Sequence, residues 1–245
     1  MEAAEYELMD AVEDRMWWYR AAHAQVVDAL ARRPGALGGA VLDAGCGTGG
    51  LLCRLREALP REALVGVDAH PAAAARARTK SDALVAAGDV NALPFPDGRF
   101  TAVVSVDVLC HRLVAPERAV AEFRRVLAPG GTLVLNLPAF EWLTSAHDVR
   151  VHTARRFTAR GAAALLHAAG FAGVETRYWN ALLLPLMVLR RKVLAASSAA
   201  ASDVAPYPPW LDRTLHQVTA MERRLATLGL RYPAGGSVLA VATAP

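Results

Sequence analysis

Cysteine is scarce in this chain of 245 residues, which contains only Cys46, Cys53 and Cys110. Their spacing is not that of paired metal ligands, and Cys46 lies inside a glycine-rich run. We therefore predict neither a disulfide framework nor a cysteine metal site. A reducing, cytoplasmic environment is the expected location.

Long apolar runs and a basic stripe are also lacking. The first fifteen residues, MEAAEYELMDAVEDR, are acidic and have no apolar core, and no apolar run reaches the roughly 18 residues of a membrane span. The net charge is only +4, and the basic residues form short clusters such as Arg155-Arg156 and Arg190-Arg191-Lys192. We expect neither a secretory signal, nor stable membrane insertion, nor a nucleic-acid partner.

Glycine, by contrast, recurs at alternate positions after a short apolar run. The sequence VLDAGCGTGG, residues 41–50, is typical of a strand that turns into a helix, and Gly45, Gly47 and Gly49 permit the backbone conformations that this turn needs. Taken with Gly50, the run also satisfies the G-x-G-x-x-G pattern of dinucleotide-binding enzymes. The glycines alone predict a nucleoside pocket without distinguishing these ligand classes.

Carboxylates near the glycines narrow the choice of ligand. Asp43, two residues before the first glycine, would repel a pyrophosphate and attract an ammonium group. Asp68 in LVGVDAH and Asp89 in AAGDV follow the next two predicted strands. Ligands of open α/β sheets lie at the carboxyl ends of strands, where Asp68 can hold both ribose hydroxyls. The alternatives are a helix cap for Asp68 and an ordinary turn residue for Asp89.

The run VLDAGCGTG resembles the glycine-rich motif of class I S-adenosylmethionine-dependent methyltransferases, whose cofactor carries such an ammonium group. The resemblance implies that Asp89 accepts a hydrogen bond from the adenine amino group and that Val90 flanks the base. In full, it implies cofactor binding by Asp43, Gly45, Cys46, Gly47, Gly49, Asp68, Ala69, Asp89, Val90 and Asp107.

Short β-branched runs alternate with alanine- and leucine-rich helical stretches, which predicts a parallel sheet. We predict strands at 40–44, 63–67, 83–87, 101–106, 132–137, 173–179 and 237–243. Helices are expected within 3–33 and at 50–59, 71–79, 116–127, 158–169 and 211–228, and Pro129-Gly130-Gly131 is expected to form a turn. The family resemblance adds the strand order 3-2-1-4-5-7-6 with the last strand antiparallel, that is, a Rossmann-like α/β fold with helices on both faces.

We expect a single methyltransferase domain over 1–245. It comprises an N-terminal helical segment (1–35), a cofactor-binding core (36–181), a helical cap insertion (182–236) and a final strand (237–245). The cap contains ALLLPLMVLRRK, an apolar stretch that is too short to span a bilayer. It could line a lipophilic acceptor site, touch a membrane surface, form a homodimer contact or pack as a lid helix. We hypothesise that the cap selects the acceptor.

The block EDRMWWYR, residues 13–20, resembles an element of one methyltransferase subgroup. Three adjacent aromatic side chains cannot share one face of a helix, so we expect some to cover a ligand and others to pack on the core. Tyr19 and Arg20 are the candidates for contact with the cofactor carboxylate or the substrate mouth. The alternative is simple docking of the helix.

A second stretch, LNLPAFEWLTSAHDVRVHTARRFT, resembles the HD…H-x-x-RR segment of the same subgroup. It begins where the fifth strand ends, beside the predicted pocket. A substrate site, a metal site and a polar scaffold are all compatible with its composition, although no cysteine assists a metal. We assign substrate binding to Asn136, Asp148, Arg155 and Arg156. The arginines would grip a carboxylate or phosphate of the acceptor, or pair with Asp148 as scaffold.

Methyl transfer requires alignment of the acceptor and exclusion of water, and a hydroxyl or amine acceptor also loses a proton. A histidine could take that proton. The candidates are His147, then His111 in VDVLCH, then His152. The predicted function is methyl transfer from S-adenosylmethionine to a small anionic or lipophilic acceptor, most simply at oxygen. The alternatives are a non-catalytic S-adenosylmethionine-binding regulator and a dinucleotide-dependent oxidoreductase.

Overall fold

The computed structural model describes residues 3–145, 148–149, 151–193 and 207–245. Its centre is a sheet of seven strands: β1 (Ala40–Ala44), β2 (Ala63–Asp68), β3 (Leu84–Ala87), β4 (Phe100–Val106), β5 (Leu127–Pro138), β6 (Ala172–Trp179) and β7 (Ser237–Thr243). The strand order is β3-β2-β1-β4-β5-β7-β6. Strand β7 is antiparallel to both neighbours, and the other pairs are parallel. The predicted Rossmann-like α/β fold and strand order are confirmed.

The helices begin and end close to the predicted positions. They are α1 (Ala3–Val12), α2 (Trp17–Ala31), α3 (Gly50–Ala58), α4 (Pro71–Ser81), α5 (Pro116–Val126), α6 (Ala159–Ala168), α7 (Leu184–Val188) and α8 (Pro209–Thr227). Helix α7 continues as a π-helical turn over Leu189–Val193. Pro71 and Pro116 occupy first-turn positions, where a missing N–H removes no hydrogen bond. The Thr158 hydroxyl caps α6 by accepting from the Gly161 N–H at 3.0 Å.

Alternate strand residues face two separate hydrophobic cores. In β1, Leu42 packs in the core that includes α5 and α6, whereas Val41 packs in the core that includes α2, α3 and α4. Phe123 of α5 and Leu30 of α2 are fully buried in these two cores. Because helices cover both faces, the central strands are apolar on both sides. Polar chemistry is therefore concentrated at the ends of the strands.

Strand β5 is longer than predicted because the Pro129-Gly130-Gly131 segment is absorbed into it as an irregularity. The pairing with β4 shifts register between Phe100 and Ala102. The Gly130 N–H donates to the Ala244 carbonyl at 2.8 Å, and the Ala244 N–H donates to the Gly131 carbonyl at 2.9 Å. Hydrogen bonds to the end of the chain thus hold this segment on the sheet.

Helix α8 of the 182–236 segment packs on α2 through polar contacts. Asp212 Oδ1 accepts from the Trp17 N–H at 2.7 Å, at the start of α2, and Arg223 Nη1 lies 2.6 Å from Asp28 Oδ2. The serine- and alanine-rich stretch at 194–206 lies outside the described residues. In the part of the chain that is described, no helix is long and apolar enough to cross a membrane.

Candidate cofactor and acceptor site

The glycine-rich run forms a tight turn between β1 and α3. The N–H groups of Gly45 and Cys46 both donate to the Val67 carbonyl, at 2.8 and 3.0 Å. Gly45, Gly47 and Gly49 have φ angles of 87°, 54° and 98°, in the left-handed region that glycine adopts readily. The turn therefore wraps around the carboxyl end of β2.

Gly45 also lies against the segment that follows β4. A Cβ atom here would collide with the Val108 side chain on an already left-handed backbone. Gly98 is a matched control, because it has a φ of 65° but no atom within 4 Å of its Cβ position. We expect Gly98→Ala to cost only backbone strain, about 1–2 kcal/mol, and Gly45→Ala to cost about 1–3 kcal/mol more for overpacking. Urea unfolding measures the loss of stability in both variants. Equal losses would contradict the close approach of Gly45 to Val108.

Asp43 is buried in β1, with only 1% of its surface exposed. Its Oδ2 atom is buried and has no hydrogen-bond partner among the described residues. Burial, followed by the charges of Asp68 and Glu13, raises the pKa of Asp43 well above its usual range. A ligand ammonium would relieve this repulsion, whereas a pyrophosphate would add to it. The orphaned oxygen therefore fits S-adenosylmethionine better than a dinucleotide.

Asp68, the last residue of β2, is held by three protein donors. Its Oδ2 accepts from the Gly47 N–H at 2.9 Å, and its Oδ1 accepts from the His70 N–H at 2.8 Å and the Tyr6 hydroxyl at 3.3 Å. The Tyr6 hydroxyl of α1 thus takes a place that a ribose hydroxyl could take. The helix-cap alternative for Asp68 is wrong, because His70 is the N-cap of α4 and its Nδ1 accepts from the Ala73 N–H at 3.4 Å.

Glu13 joins the N-terminal segment to the glycine-rich turn, a role that the sequence patterns did not reveal. It is 4% exposed, and its Oε1 accepts from the Thr48 hydroxyl at 2.6 Å and Lys80 Nζ at 2.7 Å. A Cβ atom on Gly50 would lie only 2.6 Å from Glu13 Oε2. Burial raises the pKa of Glu13, while both hydrogen bonds oppose that rise. The sequence feature that could have indicated this role is the acidic pair Glu13-Asp14, which precedes the aromatic residues 17–19.

Tyr19 and Arg20, predicted near the cofactor or substrate mouth, lie on α2 toward the cap helix α8. Tyr19 packs against a small core that contains Trp17 and Leu215. Arg20 Nη1 is 3.9 Å from Asp212 Oδ2, on the same side chain that caps α2. These contacts support the helix-docking alternative, because Asp212 of α8 binds both the backbone and a side chain in the first turn of α2.

Three residues predicted to bind the cofactor, of which Asp89 and Val90 were predicted to contact adenine, follow the ends of β2 and β3. Val90 is buried, whereas Ala69 and Asp89 are exposed. Asp89 Oδ1 accepts from the backbone N–H and the side-chain amide of Asn91, both at 2.8 Å, which is the geometry of a turn aspartate. Its contact with adenine stays a prediction. Cys46 is buried, and burial raises the pKa of its thiol, so it packs without nucleophilic character.

The end of β4 carries Asp107 on a left-handed backbone with a φ of 53°. The Asn136 side-chain N–H donates to Asp107 Oδ1 at 2.8 Å, and Asn136 Oδ1 accepts from the Trp179 indole N–H at 2.8 Å. Burial raises the pKa of Asp107 to about 7, although Arg156 and the Asn136 hydrogen bond oppose the rise. Both ends of the Asn136 amide are thus engaged within the protein. Asn136 therefore orients Asp107, whereas the sequence predicted that Asn136 binds the substrate.

The three histidines predicted as bases have different surroundings. His147 lies outside the described residues. His111 is partly buried, and its Nδ1 has no hydrogen-bond partner among those described. Burial lowers the pKa of His111, which favours the neutral ring. His152 has a left-handed φ of 58°, and its carbonyl accepts from the Arg112 N–H at 3.0 Å. Within the described ranges, no three His, Cys, Asp or Glu side chains are grouped as a metal site would require.

The other predicted substrate residues, Asp148, Arg155 and Arg156, bind parts of the protein. Arg156 Nη2 lies 2.6 Å from Asp148 Oδ1, with both side chains at most 5% exposed. Asp148 Oδ2 accepts from the Ser145 N–H at 2.7 Å. Arg155 Nη1 donates to three backbone carbonyls after β4, at 2.7–3.0 Å. These contacts support the polar-scaffold alternative, because the charged ends already have protein partners.

Known proteins share this sequence pattern. Residues 42–135 match a family described as a methyltransferase domain. The chain is 33% identical over 189 residues to malonyl-[acyl-carrier protein] O-methyltransferase of Geobacter sulfurreducens, covering 71% of this chain and 68% of that protein. It is 41% identical over 100 residues to demethylmenaquinone methyltransferase of Thermus thermophilus, covering 39% of this chain and 45% of that protein. A 37.1 kDa protein of a Streptomyces fradiae transposon is 38% identical over 124 residues, 49% of this chain and 35% of its own length. The chain thus spans less than half of the last two relatives.

Solved structures share the fold. A methyltransferase in complex with the Haloferax volcanii Trm112 methyltransferase activator gives a TM-score of 0.63 at 23% identity, covering 99% of this chain and 95% of that one. A Thermotoga maritima S-adenosylmethionine-dependent methyltransferase gives 0.62 at 21% identity, with the same coverage. Structural likeness at this identity concerns the fold, whereas the long match to the Geobacter relative identifies the family. The chain therefore belongs to the class I S-adenosylmethionine-dependent methyltransferases.

Proposed function

We propose that this chain transfers a methyl group from S-adenosylmethionine to a small-molecule acceptor at the carboxyl edge of its sheet. The observation that carries this proposal is the acidic group formed by Asp43, Asp68 and Glu13 around the glycine-rich turn. Asp43 Oδ2 has no partner there among the described residues, and burial, followed by the charges of the other two acids, raises the pKa of Asp43. The ammonium and sulfonium groups of S-adenosylmethionine are the charges that such a site favours.

When bound, S-adenosylmethionine supplies a methyl group that is already electrophilic. Asp43 would bind its ammonium group, Asp68 its ribose and Val90 the side of its adenine. The glycine-rich turn admits the ligand close to the backbone. The remaining work of the protein is to align the acceptor and to exclude water.

The acceptor would lie between the segment after β4 and the loop after β5, with residues 182–193 and 207–236 as a cap. Leu182 and Leu186 of this segment are 42% and 48% exposed, which suits an apolar acceptor. Two relatives are named for acceptors of different polarity, a malonyl group on acyl-carrier protein and demethylmenaquinone. We infer an anionic or lipophilic small molecule, methylated most simply at oxygen and selected by the cap.

Calorimetry with S-adenosylmethionine, S-adenosylhomocysteine, NAD and FAD tests the ligand class. We expect the first two to bind and the two dinucleotides to show no binding. A dinucleotide-dependent oxidoreductase would show the reverse. Labelled S-adenosylmethionine with a panel of phenols, a naphthohydroquinone, alcohols and a malonyl thioester then tests transfer. A non-catalytic regulator would bind the cofactor and yield neither labelled product nor S-adenosylhomocysteine.

A further inference from the structure

We propose that Asp107 takes the proton from the methyl acceptor, and that the acceptor is accordingly a hydroxyl, a phenol or an activated carbon rather than a carboxylate. This inference rests on the methyl transfer proposed above and names the substrate class of the same site. A carboxylate acceptor has no proton to lose and would therefore need no base.

The position of Asp107 supports this role. Strand β4 pairs directly with β1, with Val104 opposite Asp43. Asp107 follows β4, and the side chain of the next residue, Val108, occupies the space beside Gly45. Asp107 therefore lies where the chain passes the glycine-rich turn, next to the predicted methyl donor.

The conformation of Asp107 is held by the surrounding protein. Its N–H donates to the Asn136 carbonyl at 2.9 Å, and its carbonyl accepts from Cys110 Sγ at 3.0 Å. The Trp179 indole N–H occupies Asn136 Oδ1, which turns the Asn136 amide group toward Asp107 Oδ1. Asp107 is half-buried, and its Oδ2 has no hydrogen bond to any described residue. These hydrogen bonds fix both the backbone and the side-chain orientation of Asp107.

The electrostatic surroundings suit proton transfer near neutral pH. The groups that face Asp107 are Asn136 of β5, Arg156 and Asp148 of the loop after β5, and Cys110 of its own segment. Burial outweighs the Arg156 charge and brings the pKa of Asp107 to about 7, where a general base is most effective. The neighbouring His111 is the weaker base of the two, because burial lowers its pKa.

Asp107 accepts the proton that the acceptor loses on methylation. The acceptor O–H or C–H bond breaks, and its proton passes to Asp107 Oδ2. The electron pair released forms the new bond to the methyl carbon, while the methyl–sulfur bond breaks and its electron pair stays on sulfur. After the product leaves, Asp107 releases this proton to solvent and is ionised again.

Carbon NMR of the Asp107 carboxyl in the whole 245-residue chain with S-adenosylhomocysteine gives a readout that needs no acceptor. Asp107→Asn assigns the signal. We expect the carboxyl to titrate at about pH 7. Asp82→Asn is the matched control, because Asp82 is exposed, lies at the end of α4 and has the same φ of 53°. Titration at about pH 4, as in ordinary aspartates, would overturn the proposal.

Labelled methyl transfer to the phenol, naphthohydroquinone, alcohol and malonyl thioester panel gives the second readout. The wild-type rate should fall as Asp107 becomes protonated below about pH 7. Asp107→Asn should lower kcat by about 10²- to 10⁴-fold and remove that fall, while the Asp82→Asn variant should keep the wild-type rate and the fall. A full rate in Asp107→Asn, loss of the fall in His111→Gln instead, or transfer to the malonyl carboxylate alone would overturn the proposal. If no acceptor is methylated, the result counts against the methyl-transfer function. The NMR titration then still tests whether the Asp107 carboxyl has the pKa that the proposal requires.

Discussion

Asp68→Ala should weaken S-adenosylmethionine binding by at least about 100-fold, because hydrogen bonds to a charged group contribute about 1.5–3 kcal/mol each and the ribose offers two hydroxyls. The same carboxylate accepts from the Gly47 N–H and the His70 N–H, so its removal also loosens the turn. Isothermal titration with S-adenosylmethionine and S-adenosylhomocysteine measures the loss. Circular dichroism and thermal unfolding establish that the variant remains folded.

Tyr6→Phe is the matched control for Asp68. It removes the hydroxyl that lies 3.3 Å from Asp68 Oδ1 and leaves the carboxylate in place. Since this hydroxyl competes for the atom that would hold the ribose, Tyr6→Phe should retain or increase cofactor affinity. Wild-type affinity in a folded Asp68→Ala protein would refute the assignment of Asp68 to the ribose.

Arg156→Leu should lower the free energy of unfolding by about 3–5 kcal/mol, since it leaves the buried Asp148 carboxylate without its cationic partner. The two groups are 2.6 Å apart and at most 5% exposed. The Arg156 Nη1 atom also donates to the Ala139 carbonyl at 3.1 Å, so the loop after β5 loses a second contact. Urea unfolding at pH 7 measures the change.

Two further variants separate the ion pair from general effects of substitution. Arg160→Leu, at an exposed position of α6, should change stability by no more than about 0.5 kcal/mol. The double variant Asp148→Leu/Arg156→Leu should recover part of the loss, because no unpaired charge remains buried. A single-variant loss below about 1 kcal/mol would show that the pair is not the clamp of this loop.

Local patterns predicted most of the fold. The bounds of β1 and β7 match the predictions, and the other strands differ by a few residues, because alternation of apolar runs, proline at first turns and glycine at the glycine-rich turn act over short distances. The strand order came from the family resemblance and not from these patterns. The irregularity in β5 depends on hydrogen bonds to Ala244, more than a hundred residues away, which no local pattern contains.

The sequence predicted correctly where site residues lie when those residues stand at the carboxyl ends of strands. Asp43, Asp68 and Asp107 follow that rule and lie at the carboxyl edge of the sheet. The functions of Arg155 and Arg156 did not follow from residue type, since an arginine can bind a ligand or the protein itself. In the structure both arginines bind the protein itself, since Arg155 donates to backbone carbonyl oxygens and Arg156 pairs with Asp148.

The sequence by itself determined the α/β class, the glycine-rich turn and the acidic strand ends, because these depend on backbone freedom and on side chains close together in the chain. Only the tertiary structure decided that Glu13 of the N-terminal segment holds the turn and that Trp179 and Asn136 orient Asp107. Those partners are separated by between 29 and 43 residues. Such contacts form only when packing of the sheet and helices brings distant segments together and burial makes each unpaired polar atom costly.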